Sequence, residues 1–254
     1  LGEYAAVADV LEVRGLTKSF GALRVTREVS LTLAAGEVHA VIGPNGAGKT
    51  TLIHQLSGVL LPDRGQVLLR GQNITHASPQ ARARAGLARS FQITSVLPEF
   101  TVLENVALSV QAHAGRAMRP WGRASADRGA NASGMAALER MEMADRAHRP
   151  AGSLSHGEKR QLELAMAIAA DPVAMLLDEP LAGSGPEEAR RLIALLRGMK
   201  GGVAILLVEH DMDAVFALAD RLTVLAEGKV IASGEPDAVR ADEAVRAAYL
   251  GEDF

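Results

Sequence analysis

The chain contains no cysteine. Disulfides, thiolate metal sites and a cysteine nucleophile are excluded, and the composition suits a cytoplasmic protein. Long apolar runs are missing too. A bilayer-spanning helix needs roughly 18 consecutive apolar residues, and the longest runs here, 164–170 and 203–208, are far shorter. Any membrane role is therefore expected to come through a partner. The first nine residues carry no Lys or Arg, which does not fit a secretory signal. No charge of one sign dominates. With 27 basic and 30 acidic residues the formal net charge is −3, so no global field recruits nucleic acid.

The 254 residues, 48% hydrophobic and 22% charged, suit one large soluble domain or a domain plus a subdomain. That length can bury a core without covalent staples. No internal repeat is visible.

Residues 43–51 organise the rest: Gly43, Pro44, Asn45, Gly46, Ala47, Gly48, Lys49, Thr50 and Thr51. They fit the phosphate-binding pattern G-x-x-x-x-G-K-[ST], between an apolar strand at 38–42 and a helix at 51–57 that Gly58 caps. Three glycines let the backbone curl so that its N–H groups point at one centre, and the helix adds its positive end. Lys49 is placed to reach the β- and γ-phosphates, and Thr50 to ligate Mg²⁺.

Upstream, strands are expected at 10–14 and 29–33 around a polar turn. Phe20 reads as a core residue or as a platform for a base. His39 reads as a packed core histidine. Downstream, 66–70 and 86–91 read as short strands, and Arg82, Arg84 and Arg89 as a solvated basic face or an anion site. Thr101 with Glu104 makes a capping box opening a helix over 101–113. Residues 115–134, with the single tryptophan Trp121, read as a flexible connection or exposed insertion, and 135–147 as helix.

A second capping box, Ser155 with Glu158, opens a helix that Asp171 and Pro172 stop. Residues 173–177 form a fully apolar strand, as in a buried parallel sheet, ending at Asp178 and Glu179. Ligands of open parallel sheets lie at such strand ends, and a Mg²⁺-directing carboxylate belongs there in phosphate-loop NTPases. A helix over 186–199 precedes a third apolar strand, 203–208, which ends at Glu209 and His210. A hairpin over Glu227 and Gly228 and two short helices complete the chain.

Four signals thus occur in order: the loop at 43–51; Gln92 after a strand; Leu154, Ser155, His156, Gly157 and Glu158; and Asp178 and Glu179 followed by His210. This order resembles the ATP-binding subunits of ABC transporters, over nearly the whole chain. The resemblance implies an α/β P-loop NTPase with a mostly parallel core sheet, an N-terminal antiparallel β subdomain and an inserted helical subdomain at 93–160. It implies one domain over 10–254, with 1–9 as an extension, and ATP and Mg²⁺ as cofactors. Phe20 becomes the adenine-stacking aromatic, and Gln92 a Mg²⁺ ligand tied to the helical subdomain. Ser155 and Gly157 become contacts for the γ-phosphate held by a second ATPase subunit. Thr50, Gln92 and Asp178 form the metal set; Lys49, Glu179 and His210 carry the chemistry.

Finer likeness is to the branched-chain amino acid uptake type: Phe91 and Gln92, the run Phe100 to Val106, Gly183, and the ending Ala248, Tyr249, Leu250 and Gly251. That family pairs two ATPases, identical or not, with two membrane permease subunits and an external solute-binding protein. The chain is then expected in the cytoplasm, peripheral on the inner face of the membrane. Relatives import urea, amides and other small solutes, which is the alternative reading, together with a soluble ABC ATPase that does not transport. Three positions depart from the broad pattern. His156 stands where Gly is common, Glu158 where Gln is frequent, and Gly185 where many members carry Asp.

Overall fold

The computed structural model describes residues 9–89, 96–114 and 127–248. In chain order these form β1 (Asp9–Phe20), β2 (Leu23–Ala34), β3 (Val38–Ile42), α1 (Lys49–Ser57), β4 (Arg64–Leu69), β5 (Gln72–Asn73), α2 (Pro79–Arg84) and β6 (Leu87–Arg89). There follow α3 (Val102–His113), α4 (Arg128–Arg140), α5 (His156–Ile168), β7 (Ala174–Asp178), α6 (Pro186–Met199), β8 (Ala204–Val208), α7 (Met212–Leu218), β9 (Arg221–Ala226), β10 (Lys229–Gly234), α8 (Pro236–Ala241) and α9 (Glu243–Ala248). The described residues divide into two compact units, one from 9–87, 173–179 and 199–248, the other from 88–89, 96–114, 127–172 and 180–198.

The first unit holds two sheets. One is antiparallel, in the order β2-β1-β4-β5; the other runs β10-β9-β3-β8-β7-β6. In the second sheet β3 pairs in parallel with both β8 and β9, and β7 with β8, while β10 is antiparallel to β9. This is the mostly parallel core sheet with an antiparallel β layer that the resemblance implied. Every residue of β3, β7 and β8 is buried, as expected for strands covered on both faces. One apolar cluster joins Leu11, Leu33, Leu52, Leu56, Leu176 and Leu206, so α1 packs in a core shared with both sheets. A second, on Ile42, Val215, Val224, Val239 and Val245, seats α7, α8 and α9.

The N-terminal strands run farther than the sequence suggested. Phe20 pairs with Leu23, so the turn is only Gly21 and Ala22, and the register shifts between Val13 and Leu16 and again beyond. Each bulge resets the period-two alternation, which made 15–28 read as a polar turn.

Arg82 also departs from expectation. It is 1% exposed, and its guanidinium donates to the carbonyls of Gln55 (2.7 Å), Leu56 (2.6 Å), Thr75 (2.6 Å) and Ala77 (3.1 Å). It closes the last turn of α1, where orphan carbonyls need donors, and burial lowers its pKa to about 10. Arg84 is exposed, as expected of a solvated face. The helix holding Arg82, α2, was itself unanticipated. Its signal is Ser78, whose side chain accepts from the Ala81 N–H, followed by Pro79 in the first turn. α7 was likewise unanticipated; its signal is Asp211, whose side chain accepts from the Ala214 N–H. His39 is buried as read: Nδ1 meets the Thr32 carbonyl at 2.8 Å and Nε2 the Thr223 hydroxyl at 2.7 Å, and burial lowers its pKa.

In the second unit α3, α4 and α5 pack on one another. Helix α4 begins at Arg128, earlier than the expected 135 and within the stretch read as flexible. Gly129 and Gly134 each cost a helix about 1 kcal/mol, which hid its start. Packing outweighs that cost, because a Cβ on Gly134 would stand 3.1 Å from the Leu103 side chain of α3. Residues 115–126, with Trp121, lie outside the described residues, as do Phe91, Gln92, Tyr249, Leu250 and Gly251.

Candidate functional site

The phosphate loop leaves β3 and enters α1. The cap of α1 is Gly48, at φ 104, with no side-chain hydrogen bond and no acidic residue in the first turn. No side chain at the cap and no acid of the first turn therefore competes for the positive end of this helix, as an anion site requires. A side chain at Gly48 would not fit: a Cβ there would stand 2.5 Å from the Val25 carbonyl. Lys49 folds back across the loop and donates to the carbonyls of Gly43 and Pro44. Asn45, Gly46 and Thr50 are exposed, Pro44 and Thr51 are half-buried, and Ala47 is buried. This cradle fits a polyphosphate chain.

Three parallel strands end side by side at this loop. Val41 of β3 aligns with Val208 of β8, which aligns with Asp178 of β7. The carboxyl ends of β3, β8 and β7 therefore deliver the loop, Glu209 with His210, and Asp178 with Glu179 to one edge of the sheet, where α/β proteins bind ligands. Asp178 is 1% exposed. Glu179 turns out of the strand at φ 48, its N–H donating to the Val208 carbonyl at 2.8 Å. His210 Nδ1 lies 3.9 Å from Glu179 Oε1 and 3.8 Å from Glu209 Oε2. Glu209 is buried, whereas His210 is largely exposed.

Phe20 is 52% exposed at the tip of the β1–β2 hairpin, with the Lys18 ammonium 5.9 Å from its ring centre. The core reading of Phe20 does not hold; a ring this open has a face to offer. Among the described residues no group of three His, Asp or Glu side chains could cage a metal. The exposed Thr50 and buried Asp178 instead suit Mg²⁺, which binds through one or two protein oxygens plus substrate phosphates. Gln92, the other expected ligand, lies outside the described residues.

The second unit carries Ser155 and Gly157 at the start of α5. The box is closed: Ser155 Oγ accepts from the Glu158 N–H (3.2 Å) and Glu158 accepts from the Ser155 N–H (2.8 Å). Arg146 donates to the same carboxylate at 2.7 Å. The Ser155 N–H, then Arg146, hold the Glu158 carboxyl below its usual range. A cavity of about 310 Å³ opens here, lined by Ser155, Gly157, Gln161, Glu188 and Arg191 among others. Gly157 is crowded by Glu188 of α6, whose carboxylate would stand 2.5 Å from a Cβ at that position.

Sequence reasoning missed Arg160. Its guanidinium donates to the Pro180 carbonyl at 3.0 Å and to Glu163 at 2.9 Å, tying α5 to the residue that follows Glu179. Burial raises the Glu163 pKa despite that partner. The available signal was the i, i+3 spacing of Arg160 and Glu163 on one helix face.

Comparison with known proteins finds likeness along nearly the whole chain. The family described as ABC transporter matches residues 26–182. The family described as branched-chain amino acid ATP-binding cassette transporter matches residues 229–254. The high-affinity branched-chain amino acid transport ATP-binding protein LivG of Escherichia coli (strain K12) is 36% identical over 96% of this chain and 98% of its own. The corresponding protein BraF of Pseudomonas aeruginosa is 37% identical over the same shares. Among solved structures, an ATP-binding cassette of an ABC transporter in its ADP conformation superposes with a TM-score of 0.83 at 30% identity, covering 96% of this chain and all (100%) of that one. A nucleotide-free cassette gives 0.84 at 29% identity, with the same coverage. Strand ends, phosphate loop and sequence likeness converge, and the chain belongs to the ABC transporter family of ATP-binding cassettes, as a nucleotide-binding ATPase.

Proposed function

We propose that the chain, as one ABC ATPase domain over 10–254 with the helical insertion at 93–160, powers an importer of branched-chain amino acids or a related small solute. The supporting observation is the shared sheet edge, to which β3, β8 and β7 deliver the glycine-capped start of α1 and the groups Asp178, Glu179 and His210. Lys49 and the loop N–H groups of 43–51 hold the phosphates, and Phe20 stacks on the adenine. Thr50, Gln92 and Asp178 would hold Mg²⁺, which when bound offsets charge on the β- and γ-oxygens. Glu179 orients or deprotonates the attacking water. His210, whose imidazole faces Glu179, contacts the γ-phosphate. Most of the rate then comes from positioning and electrostatics.

The site is completed by Ser155 and Gly157 of a second ATPase subunit, like or unlike, in a head-to-tail dimer. Two permease subunits and, through them, an external solute-binding protein complete the importer, and the ATPase sits peripherally on the cytoplasmic face. No helix of the described residues is long and apolar enough to cross a membrane, so the proposed attachment runs through the permeases. Leu97 and Phe100, 38% and 42% exposed, are offered as the permease contact. Buried Asn105 fixes that segment, donating to the Leu97 carbonyl at 3.0 Å and accepting from its N–H at 2.8 Å.

The test is Glu179→Gln. ATP binding should persist, turnover should fall about 10²–10⁴-fold as for loss of a general base, and dimer should accumulate on size exclusion. Near-normal turnover would remove Glu179 from the chemistry. In vesicles with the permeases and binding protein, leucine should stimulate ATP hydrolysis and urea should not; the reverse would reassign the solute.

A further inference from the structure

The phosphate loop is braced from behind by backbone that is distant in sequence. The Gly228 N–H donates to the Ala47 carbonyl at 3.0 Å, and the Arg27 N–H donates to the Gly228 carbonyl at 2.7 Å. Ala47 and Gly228 are both buried. Gly228 is the second residue of the two-residue turn joining β9 to β10, where Ala226 pairs with Lys229. Glu227 and Gly228 have φ of 46° and 79°, the left-handed pair that matches strand twist in tight hairpins. A Cβ on Gly228 would stand 2.5 Å from the Val25 carbonyl, the same atom that excludes a Cβ from Gly48. A Cβ on Gly43 would collide with the Leu225 carbonyl.

The direction of the bond to Ala47 matters. In a trans peptide the C=O and the following N–H point opposite ways. A buried carbonyl also needs a donor. By holding the Ala47 carbonyl outward, the Gly228 N–H turns the Gly48 N–H toward the inside of the loop. We propose that Gly228 is a positioning residue for phosphate binding, setting the 47–48 peptide plane from the far end of the chain. The proposal rests on the reading that 43–51 holds the phosphates.

A matched control lies in the same unit. The β4–β5 turn at Arg70 and Gly71 has φ of 48° and 76° and joins the pair Leu69 and Gln72. A Cβ on Gly71 would meet nothing within 4 Å. Gly71→Ala therefore carries the turn's backbone cost without touching the loop.

The experiment measures ATP affinity by calorimetry, KM and kcat, and the melting temperature without nucleotide, for Gly228→Ala, Gly71→Ala and Lys49→Ala. Gly228→Ala should weaken ATP binding about tenfold or more, from the backbone strain and the lost bond. Its KM should rise in step, with kcat at saturation changed less than about threefold. Gly71→Ala should stay within about twofold of wild type in affinity. Equal affinity loss in the two glycine variants would overturn the positioning role. Should Gly228→Ala not fold, amide exchange on the unaltered protein decides. Saturating ADP should slow the Gly228 amide while leaving amides at 71–73 unchanged, and an unchanged Gly228 amide would overturn the proposal. Wild-type affinity in Lys49→Ala would instead overturn the phosphate-loop reading itself.

Discussion

The helix starts of α1 and α5 are built in opposite ways. α1 opens on Gly48, with no side-chain cap and no acidic residue in its first turn. α5 opens on Ser155, whose hydroxyl takes the Glu158 N–H while Glu158 takes the Ser155 N–H. Both ends carry the positive pole of a helix, yet only α1 leaves its first turn clear of its own side chains. The difference teaches what each can do alone. An end that its own side chains do not satisfy can take a phosphate by itself. An end that is largely satisfied contributes a few oriented groups to a site that something else must fill.

The two ends can be set against each other by substitution. The largest effect is expected from Ser155→Arg. Hydrolysis should fall about 10²–10³-fold, as for loss of a positioned donor, while ATP affinity of the isolated subunit stays unchanged. Parallel loss of affinity, seen by calorimetry, would mean that α5 acts on its own subunit's nucleotide and the contrast would break. Gly48→Ala comes next. The φ of 104° and the closeness of the Val25 carbonyl should cost about ten- to a hundredfold in ATP affinity, read in the same titration, with no defect in the α5 box.

Ser155→Ala is smaller and acts on folding. Loss of an N-cap costs about 1 kcal/mol, to be read as a lower denaturant midpoint with unchanged ATP affinity. The smallest effect is on pH. The Glu158 carboxyl is held low mainly by the Ser155 N–H, then by Arg146. A carboxyl lowered in the folded state adds stability above its ordinary pKa of 4.5, and that stability is lost as pH falls through the lower folded value. Melting temperature measured from about pH 6 down to about pH 3.5 should show this slope in the parent and less of it in Glu158→Gln. α1, with no acid in its first turn, adds none.

Much of this was legible beforehand for specific reasons. β3, β7 and β8 stand out because strands buried on both faces must be apolar throughout. The capping boxes at Thr101 and Ser155 stand out because both partners lie within four residues. The turn at Glu227 and Gly228 stands out because a left-handed pair wants glycine. What hid from view depended on distant neighbours. Arg82 reads as a surface cation until the end of α1 supplies carbonyls that bury it. Phe20 reads as core until the strands are seen to run on, past several register shifts, to an exposed tip.

The sequence by itself determined the phosphate loop, the order of the acidic and histidine motifs and the two capped helix starts, because each is a local arrangement of backbone preference and side-chain chemistry. Tertiary structure alone decided that Asp178, His210 and the loop share one sheet edge. It alone decided that Arg82 is buried and that a turn at 227–228 steers the peptide at 47–48. Those outcomes follow from strand order and register, which pair residues far apart in the chain, and no local pattern carries that pairing.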